Sequence, residues 1–188
     1  MLDSQSTLDA LLDWVRTHYF GKYRGSIVDT EDPTSRGRLK VKVPDVLGPD
    51  LAVWAMPCVP YAGDGIGFKF FPPPNTGVWI EFEKGDISYP IWTGFFWADS
   101  EMPAEADTGD NVKLLQTENL TIRIDDASNE IVIRSAAGTS ITLTDVITQD
   151  GSGTTIEISS SGISMDAGAT VQVGAVSVNI NNGSLTVE

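Results

Sequence analysis

The sequence predicts an all-β protein with one N-terminal helix, a small closed barrel, and a C-terminal series of short strands shared between copies of the chain. All sixteen aromatic residues fall between Trp14 and Trp97, and the last ninety-one residues have none. Apolar and polar residues alternate with a period of two in both halves, which is typical of half-buried strands. The two halves must therefore build their cores differently.

The one predicted helix covers residues 6–20. Ser6 is the expected N-cap and Asp9 its capping-box partner, and Gly21 ends the helix. An apolar stripe at helical spacing consists of Leu8, Leu11, Leu12 and Val15. We expect this stripe to face the protein's own barrel, and docking to a partner is the alternative.

Residues 25–97 predict five or so strands around the hairpin GVWIEFEKGDISYPIWTGFFW. In its first strand Val78, Ile80 and Phe82 share one face, and the sequence Lys-Gly-Asp supplies the turn. The segments RLKVKV and LAVWAMP add two further strands, and GDGIGFKFFPPPNTG adds a short strand or an ordered loop. This number of strands in so short a segment is typical of a small closed barrel of the OB type.

Residues 98–111 are acidic and contain the last proline, so they predict a linker between the barrel and residues 112–188. From there on, about eight short segments repeat the alternation: LTIRID, EIVIRS, SITLT, TTIEIS, GISMDA, TVQVG, VSVNIN and SLTVE. Such a degenerate repeat predicts stacked β structure.

The repeat cannot form a stable core within one chain, because each strand offers only two or three small aliphatic residues on one face. A rod of three chains around a common axis, with the aliphatic residues inward, solves this problem. The predicted shared core is Ile122, Ile124, Ile131, Ile133, Ile141, Leu143, Ile156, Ile158, Val171, Val173, Val178 and Ile180.

Charge and composition exclude several function classes. The net charge is −14, and residues 98–188 hold fourteen acids against three bases, so we expect no nucleic-acid partner for this half. The single cysteine, Cys58, excludes an intrachain disulfide and is expected to be a small buried residue. The N-terminal sequence has no signal-peptide pattern and no segment is apolar enough to span a membrane, so we expect synthesis in the cytoplasm.

The segments IVDTEDPTSRGRLKVKVP, WAMPCVPYAG and GFKFFPPPNTGVWIEFEKGDISYPIWTG resemble, in order and spacing, the baseplate assembly protein V family. These are OB-fold spike proteins of contractile phage tails, with VgrG relatives in type VI secretion and in extracellular contractile injection systems. The residues that carry the resemblance are Asp32, Pro33, Gly37, Arg38, Trp54, Gly77, Glu81, Phe82, Gly85, Asp86, Tyr89, Pro90 and Gly94.

The resemblance implies a structural, non-enzymatic homotrimer without a cofactor or metal. An intertwined trimeric β-helix, the needle, would follow the OB domain, a baseplate hub protein would bind at the OB end, and the needle would puncture the target membrane mechanically. The chain has no lysozyme domain and no His-x-His motif, since its sole histidine is His18. The implied blunt tip would contact a PAAR-type protein through Ser184, Leu185, Thr186, Val187 and Glu188.

Two alternatives from other classes stay open. Arg38, Lys40 and Lys42 beside aromatic residues are also compatible with an OB-type nucleic-acid module that has an oligomerising β tail. A polysaccharide-active β-helix would need a carboxylate cluster on one face of the rod, whereas the acids of the rod are scattered and it has no aromatic residue for sugars. In the barrel, Glu81 and Glu83 could form a glycosidase pair and are better explained as the solvated face of a strand. The sequence equally leaves open whether the machine is a phage tail, a type VI apparatus or another injection system.

Overall fold

The computed structural model describes residues 4–151, 153–160, 162–167, 170–173, 176–180 and 185–187. The chain forms two compact units, Met1–Glu101 and Met102–Glu188. The fold is mostly β, with a short N-terminal helix and a closed five-stranded barrel in the first unit and a single sheet in the second.

Helix α1 spans Ser4–Thr17, so Ser6 lies inside it and is not its N-cap. The prediction that its stripe faces the barrel is wrong: Leu8, Leu11 and Val15 are 52%, 55% and 57% exposed. The reason is that only the segment after the helix is anchored. The Tyr19 N–H donates to the Gly85 carbonyl over 2.8 Å, while the helix itself contains no buried residue.

The first unit closes its sheet in the order β1-β2-β3-β7-β6. All neighbours are antiparallel except β3 and β7, which pair in parallel through Met56 and Pro57. The strands are β1 Tyr23–Asp29, β2 Leu39–Lys42, β3 Ala52–Pro57, β4 Ala62–Gly63, β5 Ile66–Gly67, β6 Gly77–Phe82 and β7 Pro90–Phe96, with helix α2 at Pro44–Leu47. Strands β4 and β5 form a separate small hairpin.

The barrel core confirms the predicted alternation. Val78, Ile80 and Phe82 are all buried, and the outward residues between them are partly exposed. The buried apolar residues are Ile27, Leu39, Val41, Val43, Ala55, Val78, Ile80, Phe82 and Trp92. Every barrel strand contributes to this core, so the barrel has an interior that does not depend on the second unit.

The predicted turn between β6 and β7 forms as a single 3₁₀ turn at Glu83–Gly85. Lys84 and Gly85 both have positive φ, at 54° and 81°. A Cβ on Gly85 would lie 2.9 Å from Cζ of Phe20, so glycine is required here by conformation and by space. This contact also anchors the segment that follows α1.

The second unit is a ten-stranded antiparallel sheet in which each strand pairs with its neighbours in the sequence. The strands are β8 Val112–Gln116, β9 Leu120–Asp125, β10 Glu130–Ser135, β11 Ser140–Leu143, β12 Ile147–Gly151, β13 Thr154–Ser159, β14 Gly162–Asp166, β15 Thr170–Val173, β16 Val178–Ile180 and β17 Leu185–Val187. The predicted count of about eight missed β8 and β12. In β12 a glutamine replaces the second aliphatic residue, which weakens the alternation.

A 3₁₀ turn, Ala104–Thr108, lies within the predicted linker and belongs to the second unit. The Arg134 guanidinium forms an ion pair with Glu105, which ties this segment to β10. The pairing that the structure describes is within one chain, and the intertwining of three chains stays a prediction.

Replacing a core residue of the barrel should unfold it more easily than replacing the same residue type at its surface. We expect Ile80→Ala, at a fully buried site, to lower the free energy of unfolding by about 2–4 kcal/mol. Ile87→Ala, at a site 40% exposed, should cost less than about 1 kcal/mol. Urea unfolding followed by tryptophan fluorescence measures this, since all five tryptophans lie before residue 98. Equal losses would contradict the assignment of the core.

Candidate functional site

The residue register of the second unit places its aliphatic residues in two rows that cross the sheet. The first row runs through Ile124, Ile131, Leu143, Ile147, Ile158, Ile163, Val173 and Val178. The second runs through Leu115, Ile122, Ile133, Ile141, position 149, Ile156, Met165, Val171 and Ile180. We call the two rows together the aliphatic face.

All twelve residues predicted as a shared core lie on the aliphatic face. The prediction left out Leu115, Ile147, Ile163 and Met165, which occupy equivalent positions. Leu115 and Ile147 lie in the two missed strands, β8 and β12, which the spacing of the repeat could have located, whereas Ile163 and Met165 lie in the predicted segment GISMDA, where the alternation already placed them on one face. At position 149 a glutamine occupies the row, and at the end of the first row Lys113 pairs with Ile124.

The aliphatic face is more exposed than the polar face of the same strands. In β13 Ile156 and Ile158 are 41% and 45% exposed, whereas Thr155 and Glu157 are less exposed than either. Strands β9, β10 and β14 repeat this pattern over most of their length. A soluble sheet normally buries its apolar side and exposes its polar side, so the described part of this unit leaves its apolar side uncovered.

The polar face is stabilised by its own contacts. Arg123 bridges Asp125 at 2.6 Å and Glu130 at 3.3 Å across β9 and β10. The Arg123 guanidinium lowers the pKa of the Asp125 carboxyl below its ordinary value. Thr121, on the same face, is 8% exposed. The polar face at β9 and β10 is therefore stabilised within the chain, whereas the aliphatic residues of the same strands remain partly exposed.

In the barrel, the Asp32 carboxylate organises the loop between β1 and β2. It accepts hydrogen bonds from the backbone N–H groups of Thr34, Arg36 and Arg38 over 3.0, 2.8 and 3.2 Å. The Arg38 side chain adds two more, at 3.0 Å from Nε and 2.7 Å from Nη2. The Arg38 guanidinium, followed by the backbone donors, holds the pKa of Asp32 far below its ordinary range. The Asp32 side chain is only 4% exposed, so it is a structural anchor.

Gly37 completes this loop. It has φ of 73°, and its carbonyl accepts a hydrogen bond of 3.1 Å from Nε1 of the core residue Trp92. The Asp-Pro and Gly-Arg pairs of the sequence therefore fold the loop and lock it onto the barrel.

Four further motif residues of the barrel, Gly77, Gly94, Glu81 and Asp86, also have structural roles. Gly77 lacks a Cβ that would lie 2.5 Å from the Phe96 ring, and Gly94, with φ of 150°, lies next to a bulge between β6 and β7. Glu81 pairs with Lys22 at 2.6 Å. The Asp86 carboxylate accepts the Ser88 N–H over 2.9 Å, which lowers the pKa of Asp86. Glu81 and Glu83 are thus an ion-pair partner and a turn residue.

The basic residues on the outside of the barrel lie over aromatic rings. The Arg24 guanidinium lies 5.0 Å from the Trp79 ring centre and 4.7 Å from that of Phe96. Arg38 and Lys40 lie 5.4 and 5.9 Å from the Trp54 ring. Cations therefore occupy ring faces that a nucleic-acid module would need for base stacking.

A groove of about 800 Å³ lies between the β1–β2 loop and the β4–β5 hairpin. Its floor consists of Pro57, Val59, Phe71 and Trp92. Tyr61, Ile66, Phe68 and Phe70 are each more than half exposed, and Ile66 and Phe68 are part of the groove lining. The sequence predicted only a short strand or an ordered loop here. The available signal for the exposed cluster was four large apolar residues in a segment rich in glycine and proline.

Two further predictions need correction or fall outside the described residues. Cys58 is exposed and not buried, because it follows the end of β3, where only its backbone N–H is engaged, with the Trp92 carbonyl. Of the predicted tip residues, Leu185, Thr186 and Val187 form β17, and Ser184 and Glu188 lie outside the described residues. Within the described ranges, no cluster of three or more potential ligands could hold a metal ion.

Residues 23–97 match a family described as the type VI secretion system/phage-baseplate injector OB domain. The barrel of this chain is therefore an injector OB domain, and the resemblance to baseplate assembly protein V and VgrG spikes is confirmed over these residues. This family is a structural baseplate component, and the match covers the barrel. No curated protein matches the chain. Among the described helices, none has the length and apolar character to cross a membrane.

Replacing the Asp32 carboxylate should change how the barrel responds to acid. The folded pKa of Asp32 is depressed, so its stabilisation is complete above the unfolded pKa of about 3.9 and is lost as the pH falls below it. We expect Asp32→Asn to be less stable than wild type at pH 7 and to lose less stability between pH 4 and pH 2. Urea unfolding at several pH values measures both. Asp50→Asn, at an exposed loop carboxylate, is the control and should keep the wild-type acid response. An unchanged response in Asp32→Asn would refute this role.

Proposed function

We propose that this chain is the homotrimeric central spike of a contractile injection machine, in which the OB domain is a collar and the second unit is a needle. The observation that carries the proposal is the aliphatic face: from Leu115 to Val173, most of its apolar side chains remain about 40% exposed. The injector OB domain supports the same role from the other unit.

Other copies of the same chain are the best cover for this face. The face is two side chains wide over most of its length and spans β8 to β16, and a matching surface must repeat with the same spacing. Three identical sheets around a common axis provide this, each turning its aliphatic face inward and its polar face outward. Full burial of one Val, Leu or Ile side chain contributes about 1.5–3 kcal/mol. Covering what remains exposed here would contribute on the order of 10 kcal/mol per chain.

The proposed needle suits a mechanical role. Ten strands at about 4.8 Å spacing give a rod on the order of 45 Å long. Force applied along the rod would be carried by the backbone hydrogen bonds of three sheets and by one continuous apolar core. No chemical step is required of such a part, so the proposed function is non-enzymatic and needs no cofactor.

The resemblance supplies the proposed partners at the two ends. A baseplate hub protein would bind at the OB end, and the exposed stripe of α1 is the surface that we propose for this contact. A PAAR-type protein would cap the C-terminal end near β17. The needle would contact the target membrane only by puncturing it, when the sheath of the machine contracts.

The nucleic-acid alternative has no specific observation in its favour. Cations lie over the rings of Trp54, Trp79 and Phe96, where bases would have to stack. The chain carries a net charge of −14, which opposes binding to phosphate. We therefore retain the spike as the proposed function.

The needle proposal predicts a reversal of the usual effect of surface charge. In a single chain Ile156 is more exposed than its neighbour Thr155, so an aspartate would be better tolerated at Ile156. In the trimer Ile156 is buried and Thr155 is not. We expect wild type and Thr155→Asp to have three times the mass of the chain by light scattering, and Ile156→Asp to dissociate or aggregate, because an unpaired charge in a dry core is strongly unfavourable.

Val173→Asp, in the other row, should behave like Ile156→Asp, with Gln172→Asp as its matched neighbour on the opposite face. Circular dichroism and tryptophan fluorescence of each variant confirm that the barrel is folded. A monomeric wild type would refute the shared core, and so would a trimeric Ile156→Asp that resists heat as wild type does.

A further inference from the structure

The groove between the β1–β2 loop and the β4–β5 hairpin has an apolar floor and apolar side chains in one wall. On the floor, Phe71 and Trp92 pack edge to face with their ring centres 5.9 Å apart. In the hairpin wall, Ile66 and Phe68 are 56% and 54% exposed. An open apolar concavity with a few polar groups at its edge is the usual form of a binding site.

Much of the groove wall consists of backbone, because four of its lining residues are glycines. Gly37 lies in the β1–β2 loop, and Gly63, Gly65 and Gly67 belong to the hairpin. Among the described residues, strands β4 and β5 pair only with each other, so each keeps one edge without a strand partner. A wall of this kind lets a second backbone approach closely and pair with it. The groove is therefore better suited to an extended peptide than to a compact ligand.

Two cations stand on opposite sides of the groove. Arg36 lies in the β1–β2 loop and Lys69 follows β5, and both side chains are exposed. Within the part of the chain that the structure describes, neither forms an ion pair. Of the two acids in the lining, Asp32 is already paired with Arg38, so Glu31 is the one acid that faces these two cations. The groove is thus locally positive on a chain whose net charge is −14.

We propose that this groove binds an extended acidic segment of another protein, with an aromatic or large aliphatic side chain on the floor and carboxylates beside Arg36 and Lys69. The cations on both sides select for acidic residues on both sides of that apolar side chain. The apolar floor and the glycine-lined wall favour such a peptide over a free anion. The site lies within one barrel, so the inference does not depend on the proposed homotrimer.

Peptide binding to the full chain tests this site. The acidic probe is fluorescein-labelled GDEFEDG, and its matched probes are GKRFKRG, with reversed charges, and GDEAEDG, without the aromatic ring. We expect the acidic probe to bind most tightly by fluorescence anisotropy, and to bind less tightly as the salt concentration rises. GDEAEDG should bind about tenfold more weakly, because no apolar side chain then covers the floor.

Charge reversal at the two cations locates the bound peptide. Arg36→Glu and Lys69→Glu should each weaken binding of the acidic probe by about three- to tenfold, because each change replaces an attraction with a repulsion. Lys84→Glu, at an exposed cation that does not line the groove, is the control and should bind as wild type does. Arg36→Glu combined with Lys69→Glu should bind the basic probe more tightly than wild type does, which a loss of stability cannot produce.

Four results would overturn the site. They are equal binding of the acidic and basic probes to wild type, an equal loss in Lys84→Glu and the groove variants, equal binding of GDEAEDG, and no binding of any probe. The third would indicate an anion site that does not use the floor, and the fourth a groove covered within the assembly. Each of them leaves the needle proposal intact, whereas a monomeric wild type that binds the acidic probe would keep the groove and refute the homotrimer.

Discussion

The second unit of this protein depends on one constraint: a single sheet has two faces, and one chain can supply contacts for only one of them. Arg123 and its two carboxylate partners stabilise the polar face within the chain. The aliphatic face receives no such cover in the described residues, although it holds nearly all the apolar side chains of the unit. Hydrophobic burial is the largest favourable term in folding, and the described residues of this unit leave much of their apolar area unburied.

The OB domain, in contrast to the second unit, buries its apolar residues within one chain. Its five strands close on themselves, so each inward side chain meets others from the same barrel, and residues such as Ile80 and Val41 are fully buried. Closure also removes the free sheet edges that would otherwise pair with other proteins. Large apolar side chains of α1 and of the β4–β5 hairpin and its flanks remain exposed on this unit.

The two kinds of core explain why prediction from sequence succeeded unevenly. Alternation located the strands of the barrel and of the sheet to within a few residues, because a half-buried strand imposes a period of two. It failed at β8, and at β12, where glutamine interrupts the pattern. Cys58 was predicted to be buried from its residue type, but it follows the end of β3 and is exposed. The apolar stripe of α1 was predicted to face the barrel because such a stripe usually packs against the core of its own protein. Amphipathicity alone does not identify the surface against which a helix packs.

The sequence by itself determined the division of the chain, since aromatic residues and prolines stop where the repeat begins, and it determined which residues share a face. Only the tertiary structure decided that Asp32 and Arg38 fold one loop onto Trp92, that the hairpin leaves a groove beside it, and that the aliphatic face lies uncovered. These features depend on distances between residues far apart in the chain. Periodicity records only whether a side chain is inside or outside, and the folded backbone determines which residues meet.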